Sequence, residues 1–435
     1  MFGGINIGEV IFVAEFSAHP VVFVISVILQ LFVLLYGGYY FVVSLFGWYN
    51  GKNNAKAEKK DIHTFALVVA AHNEEVVIAN MVDSLNKLNY PREAYDVFVI
   101  ADNCTDETAK RAQDAGALVF ERENKELRGK GYALEWMFEK IFNMEKKYDY
   151  ISVFDADNIV DEEYLNAMNN EINKGYKVVQ GYIDSKNPFD SWITCAYSIS
   201  FWSISRLFQT ARYNLGITCQ LSGTGFVIET KLLERIGWKA TCLTEDMEFT
   251  ARLALEGEKV GWAYYAKVYD EKPLTMSQSW KQRVRWMQGH ADVASRFAVK
   301  LFSKCIKKGD WSAFDCGIYL LNPLKVLCVS VITLMAWAQN FFPDGNLGFL
   351  QLYYLFESPI VWNVFVGMEF LYMPLVITIE KKCINKKLIW GYITYSIYSL
   401  TWLPITIIGC LNKNKKEWFH TQHVRQISIT DVDKI

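Results

Sequence analysis

The hydrophobic pattern of this 435-residue chain changes period twice. From Pro20 to Trp48 apolar side chains run on without one charge, past the ~20 residues that a helix needs to cross a bilayer. Tyr36, Tyr39, Tyr40 and Trp48 suit an interfacial end. Its length, the lack of a basic start and the lysines that follow argue against a cleaved signal peptide. Three later runs, Cys316–Phe342, Ile360–Ile379 and Leu388–Leu411, predict further spans. Pro404 in the last is tolerable where a neighbour takes up the freed carbonyl.

From Thr64 the pattern shortens. "TFALVVAAHNEE" is an apolar run ending in a polar turn, and "VVIANMVDSLNKL" has helical spacing. "YDVFVIADNCTDETAKRAQDAG" repeats strand, turn and helix, "ALVFERE" is a short strand, and "YDYISVFDADN" is another. Near-continuous apolar strands alternating with helices predict an α/β domain whose mostly parallel sheet is covered on both faces. The expected division is residues 1–50 as a membrane segment, 51–310 as the α/β domain, 311–411 as a second membrane region and 412–435 as a tail. Interface helices are expected near 192–208 and 278–300.

Composition sharpens this division. The chain is 51% hydrophobic and 15% aromatic with net charge −2. A slightly acidic chain without a basic stripe excludes nucleic acid as a partner. Lys52, Lys56, Lys59 and Lys60 follow the first run, and Lys381, Lys382, Lys386 and Lys387 the third. The positive-inside rule therefore predicts a multi-pass protein of the cell membrane with its α/β domain in the cytoplasm. Lys413, Lys415 and Lys416 run against that rule if the last run crosses fully. Nine scattered cysteines without a C-x-x-C pair read as reduced thiols.

Ligands bind such sheets outside the carboxyl ends of the strands. Three polar clusters fall there: His72–Glu75, Asp102–Asp106 and Asp155–Asn158. Asn73, Asp102 and Asp106 also suit plain helix starts. Two carboxylates one residue apart, Asp155 and Asp157, repel unless a positive charge sits between them. A divalent cation with oxygen ligands is the natural candidate, a solvated surface turn the alternative. In "ELRGKGYALEW", Gly129 and Gly131 allow close approach of a ligand and Lys130 could meet a phosphate.

Two further clusters follow. "QLSGTGFVIE" is a glycine turn before a strand, and "LTEDMEFTARLALEG" opens a helix with acids, which the helix dipole alone would favour. In "SWKQRVRWMQGH", Arg283 and Arg285 could neutralise a diphosphate and Trp286 could stack on a sugar. The alternative is an amphipathic helix lying on anionic lipid.

In their order, Asp102, the D-x-D of Asp155 and Asp157, the T-E-D of Thr244, Glu245 and Asp246, and the Q-x-x-R-W of Gln282, Arg285 and Trp286 resemble the membrane-integrated glycosyltransferases of family 2. That group includes cellulose, chitin, hyaluronan and poly-N-acetylglucosamine synthases. The likeness covers roughly Thr64 to Val293 and the flanking spans. It implies a GT-A-like nucleotide-sugar-binding domain and an inverting hexosyltransferase. His72, Glu74, Asp102, Lys130, Asp155 and Arg285 would hold the donor, most simply a UDP-sugar. Asp155 and Asp157 would place Mg²⁺ or Mn²⁺ on its diphosphate. Asp246, with Glu245 beside it, would be catalytic, taking the proton from the acceptor hydroxyl. Gly223, Thr224, Gly225, Gln282 and Trp286 would hold the acceptor. The expected activity is extension of a β-linked polysaccharide, coupled to export through this chain or an export partner subunit. The alternatives are transfer of one sugar to a lipid acceptor among the membrane lipids, or a non-catalytic membrane subunit. The first motif reads "AAHNEE" where the group commonly has a proline-aromatic version.

Overall fold

A computed structural model of the chain describes residues 20–49, 61–239, 242–341, 374–380 and 386–415. Its α/β domain begins with β1 (Phe65–Ala71), α2 (Ile78–Asn86) and β2 (Tyr95–Asp102), after an apolar helix α1 (Pro20–Leu45). There follow α3 (Thr108–Asp114), β3 (Leu118–Arg122), α4 (Lys130–Phe142), β4 (Tyr150–Asp155) and β5 (Ile159–Val160). The strands of the run from Phe65 alternate faces, as the two-residue period requires. Ala66 and Val68 meet Leu134, Met137 and Phe138 of α4, while Phe65, Leu67 and Val69 join the cluster of Ile78, Met81 and Leu85 from α2. Burial on both faces explains why the sequence reads as an unbroken apolar run.

The second half adds α5 (Tyr164–Asn173), β6 (Val178–Ser185), α6 (Trp192–Ser203), a π-helix (Ile204–Thr210) and α7 (Ala211–Leu215). Then come β7 (Phe226–Glu229), α8 (Thr230–Ile236), α9 (Glu245–Glu256) and β8 (Val260–Asp270). The eight strands order as β3-β2-β1-β4-β7-β6-β8-β5. β3, β2, β1 and β4 are parallel, as are β6 and β8, whereas β7 runs against both β4 and β6. β7 enters from the glycine turn at Gly223–Gly225 and runs antiparallel to both of its neighbours. That places the turn at the same edge as the carboxyl ends of its neighbours.

Helix α6 lies in the stretch read as an interface helix and is packed against protein on two sides. Ile193, Ala196 and Tyr197 are buried together with Tyr398, so the helix is sandwiched between β6 and a helix from the far end of the chain. That partner is α13 (Lys386–Leu400), which continues through a break at Thr401 into α14 (Trp402–Leu411). Helix α10 (Met276–Lys308) is 33 residues long and opens with a capping box from Thr275 and Gln278. It leads into α11 (Trp311–Leu320) and α12 (Asn322–Phe341).

By length and composition Val27–Trp48 and Lys386–Leu411 could each cross a membrane, and α11 with the start of α12, bent by 47°, would make a third span. Val24, Ile28, Leu35 and Val42 of α1 and Trp390, Ile397 and Leu411 of α13 and α14 are exposed apolar side chains. The expected span Ile360–Ile379 falls mostly outside the described residues. Two buried ion pairs tie these helices to the domain. Arg212 holds Asp315 at 2.7 Å, with the Tyr39 hydroxyl donating to the same carboxylate at 2.7 Å, and Arg206 holds Glu380 at 2.6 Å.

Candidate active site

The parallel strands deliver their last residues to one edge. Ala71 lies beside Ala101, Ala70 beside Asp155, and Asp102 beside Arg122. The chain leaves β1 and β2 through left-handed turns at Asn73 (φ 55°) and Asn103 (φ 52°), a conformation that asparagine tolerates. Asn73 Oδ1 accepts from the Thr105 N–H at 2.8 Å and Asn103 Oδ1 from the Asn124 N–H at 2.9 Å, which ties three edge loops together. Asn73 is thus a turn residue and brace, not a helix start, and Asn103 braces in the same way.

These loops wall one end of a cavity of about 1320 Å³. His72 Nδ1 lies 2.6 Å from the Asp102 carbonyl oxygen, and the buried Asp102 carboxylate pairs with Arg122 at 2.5 Å. His72, Asp102, Lys130, Asp155 and Asp157 all line the cavity. Glu74 does not; it is buried behind the wall, where its N–H donates to Thr108 Oγ1 at 2.8 Å.

In this structure the repulsion within Asp155–Asp157 is met by lysines. Lys130, at the start of α4, pairs with Asp155 at 2.5 Å and donates to the Gly223 carbonyl at 2.6 Å. Burial opposes its charge, but Asp155 and Glu245 outweigh burial and its pKa is raised. Behind the pair, Lys186 donates to the Asp157 carbonyl at 2.8 Å and Lys272 pairs with Asp270 at 2.6 Å. Burial, with the charges of Asp157 and Asp155 adding to it, lifts the Asp270 pKa to about 6 against the pull of Lys272. Negative charge is therefore in excess here, and the Asp155 side chain is 39% exposed to the cavity. Those oxygen-only ligands fit a hard divalent ion whose remaining ligands are phosphate oxygens and water. Among the described residues no three ligating side chains gather, so Asp155 and Asp157 are what the chain itself offers.

The glycine turn closes over this pair. The Asp155 N–H donates to Thr224 Oγ1 at 3.1 Å, and Thr224 Oγ1 also bonds Asn158 Oδ1. Gly223 (φ 80°) faces the next acid so closely that a methyl group there would touch Asp246 Oδ2 at 3.6 Å. Gly225 (φ 62°) packs against Val268 and does not line the cavity.

Glu245 and Asp246 open α9 and line the cavity. Burial lifts the Asp246 pKa to about 7, the charge of Glu245 adds to that, and the Met247 N–H, donating at 2.7 Å, opposes it. Burial also raises Glu245, against Lys130. Across the cavity, Gln282, Arg285, Trp286 and His290 share one face of α10. Gln282 Oε1 is buried without a hydrogen-bond partner among the described residues. Arg283 points elsewhere, because successive helix positions diverge by about 100°. It is fully buried, donating to Thr401 Oγ1 at 2.8 Å and stacking on Tyr398 at 4.2 Å. Of the two arginines only Arg285 faces the cavity.

Sequence reasoning missed Arg122, Lys186, Lys272 and Gln180. Gln180 sits inside β6, its Nε2 donating to the Thr224 carbonyl at 2.9 Å and its Oε1 accepting from the Ser222 N–H at 2.9 Å, which braces the turn. One signal was present: "YDEK" ends β8 with charges at the same sheet edge.

The profile of the family described as "Glycosyltransferase like family 2" matches residues 63–289. The probable glycosyltransferase YdaM of Bacillus subtilis is 25% identical over 389 residues, covering 84% of this chain and 88% of that protein. The β-monoglucosyldiacylglycerol synthase of Nostoc is 30% identical over 237 residues, 52% of this chain. A poly-β-1,6-N-acetyl-D-glucosamine synthase of Staphylococcus aureus is 24% identical over 270 residues, 59% of this chain. The match spans 48% and 63% of those last two proteins. Among solved structures, the mannosyltransferase PcManGT of Pyrobaculum calidifontis, in complex with GDP-Man and Mn²⁺, superposes with TM-score 0.56 at 16% identity. It covers 89% of this chain and 99% of that one, which shows a shared GT-A-like fold.

Proposed function

Since the chain belongs to glycosyltransferase family 2, we propose that it transfers a sugar, with inversion, from a nucleotide sugar to an acceptor hydroxyl held between Asp246 and α10. The observation that carries this reading is the position of Asp246. It lies at a helix start in the cavity wall, beside Gly223 and across from Trp286, with burial holding its pKa near neutrality at about 7. A base with that pKa is half ionised at working pH and can still take a proton.

The nucleoside end of the donor is assigned to His72 and Asp102, with Arg122 behind them holding the Asp102 carboxylate, and the diphosphate to Lys130 and Arg285. Asp155 and Asp157 would hold Mg²⁺ or Mn²⁺, which when bound neutralises charge on the leaving diphosphate. PcManGT, of the same fold, holds GDP-Man and Mn²⁺. As the bond from the anomeric carbon to the diphosphate loosens, Lys130 and Arg285 stabilise the charge that gathers on the phosphate. The acceptor hydroxyl attacks from the opposite ring face and gives its proton to Asp246. Trp286 supplies a flat platform for a sugar or head group, and the Gln282 oxygen a hydrogen-bond acceptor for one of its hydroxyls. Glu245 keeps the local charge negative enough to hold the Asp246 pKa high.

Two acceptors follow from the sequence, a growing polysaccharide and a lipid. The cavity favours the lipid: beyond Trp286 it continues between apolar helices, lined by Val326, Val329 and Leu403. The diacylglycerol-glucosylating relatives support the same choice, and the poly-N-acetylglucosamine relatives support the polymer. The test is purified protein in detergent with labelled UDP- and GDP-sugars and Mg²⁺ or Mn²⁺, followed by organic extraction and size analysis. Label in an extractable species one sugar larger supports the lipid reading. Label in a polymer supports the other acceptor, and no label from any donor refutes the transferase.

A further inference from the structure

Three buried glutamines, Gln180, Gln209 and Gln220, surround the segment that enters the glycine turn. Two of them use their amides on the backbone. Gln180 bonds the Ser222 N–H and the Thr224 carbonyl at 2.9 Å each. Gln209, in the π-helix, donates to the Gln220 carbonyl at 2.7 Å and accepts from the Gln220 N–H at 3.0 Å. Gln220 itself differs. Its side chain lines the cavity and the residue is 4% exposed, yet its Nε2 has no hydrogen-bond partner among the described residues. The Cys316 thiol of α11 comes near this amide, a weak acceptor for at most one of its two N–H groups. At least one N–H is left over, and a buried donor left so costs stability unless an occupant meets it.

Short contacts fix this amide relative to the reacting groups. The Gly223 carbonyl accepts from Lys130 at 2.6 Å, and a methyl group on Gly223 would lie 3.6 Å from Asp246 Oδ2. Earlier in the same segment, the Leu221 N–H donates to Thr250 Oγ1 at 3.1 Å, and the Thr250 hydroxyl donates to the Asp246 carbonyl at 2.8 Å. The segment therefore runs along the first turn of α9, with Lys130 at its Gly223 end and Gln220 at the other. The chain between them reaches no further than about 10 Å when fully extended, so a head group whose hydroxyl faces Asp246 comes within reach of Gln220. The cavity residues next in sequence to these groups, Phe208, Leu221 and Met247, are apolar.

We propose that Gln220 sets acceptor specificity, its N–H donating to the ester carbonyl of a glycerolipid whose free hydroxyl faces Asp246. This deepens the lipid-acceptor reading above and rests on it. An ester carbonyl stands a few bonds from that hydroxyl and only accepts, so it meets the spare N–H without bringing a donor that the apolar neighbours would leave unpaired. A sugar hydroxyl at the same place would bring one. Gln220 takes no part in bond making. The hydroxyl oxygen bonds the anomeric carbon as that carbon's bond to the diphosphate breaks, the proton passes to Asp246, and the nucleoside diphosphate departs with the electron pair.

The test uses the full chain in nanodiscs of diether phosphatidylcholine, a host lipid with neither ester nor free hydroxyl, with labelled nucleotide sugar and one acceptor at a time. The acceptors are dioleoylglycerol and its dioleyl ether analogue, which keeps the hydroxyl and the chains and lacks the carbonyls. The expected result is a kcat/KM about fivefold to tenfold higher for the ester, the scale of one hydrogen bond. Gln220→Leu should bring the ester down to the ether's value and leave the ether within about twofold, because the ether never received that bond. Gln220→Glu, of the same shape but with no N–H to give, should behave like Gln220→Leu, and donor binding should be unchanged in both. A merely structural role would lower both acceptors together. Should Gln220→Leu not fold, Gln220→Glu and the acceptor pair with unaltered protein decide. Ester and ether used equally, a preference for the ester that survives in the variants, or label only in a polymer or in another lipid would each overturn the proposal while leaving sugar transfer standing. Absence of label in every product, with no nucleoside diphosphate released, would overturn the transferase reading and this inference with it.

Discussion

The acids at the start of α9 carry the sharpest consequences. Asp246 acts as a base only when ionised, so kcat/KM should rise with pH through about 7 and level off above it. A profile flat between pH 5.5 and 8.5 would contradict that role. Stability runs the other way. A carboxyl whose folded pKa exceeds its unfolded value binds more protons when folded, so its contribution is present at low pH and is lost as pH rises through about 7. Asp246→Asn should therefore raise the unfolding temperature at pH 8 while lowering transfer by 10²–10⁴-fold, about the worth of a general base. Calorimetry and a label-transfer assay on the same preparation check both halves. At the donor end, Arg122→Ala leaves the buried Asp102 carboxylate uncompensated. Loss of such a partner costs about 3–5 kcal/mol, to be read by denaturant titration as well as by donor affinity.

At the scale of elements, glycines set how closely the two halves of the site approach. A methyl group on Gly289 of α10 would come within 2.5 Å of Thr244 Cγ2, just ahead of the acids of α9. Gly289→Ala should thus depress kcat more than it lowers the melting temperature, and adding Thr244→Ala should recover part of the loss. Equal activity in Gly289→Ala and the parent would show that this spacing is slack. Much of this arrangement was legible beforehand. The apolar runs marked β1, β2 and β4, and the clusters at their ends marked the cavity edge, because strand ends and polar turns are local properties of the chain. The reversed β7 was not legible, since a four-residue strand after a glycine turn carries no sign of its direction. Nor were Arg122 and Lys186, whose roles depend on neighbours across the sheet, Asp102 and Asp157. Arg283 misled because sequence proximity to Arg285 says nothing about helix face.

Over the whole molecule, the cavity joins a soluble-type sheet edge to a bundle of apolar helices, and the buried Arg212–Asp315 pair with Tyr39 holds the two together. Asp315→Ala should destabilise the protein by about 3–5 kcal/mol, whereas replacing both partners by Leu and Met should cost far less. Thermal unfolding in detergent distinguishes these outcomes. The central claim is that donor and acceptor meet at Asp246. It is tested most directly by measuring nucleotide-sugar binding and sugar transfer side by side in the parent protein and in Asp246→Asn. The account predicts that the variant binds the donor within about threefold of the parent, the charge of Asp246 lying on the acceptor side, and transfers at a hundredth of the parent rate or less. Transfer undiminished in Asp246→Asn, or a parent protein that binds no nucleotide sugar in the presence of Mg²⁺ or Mn²⁺, would contradict it.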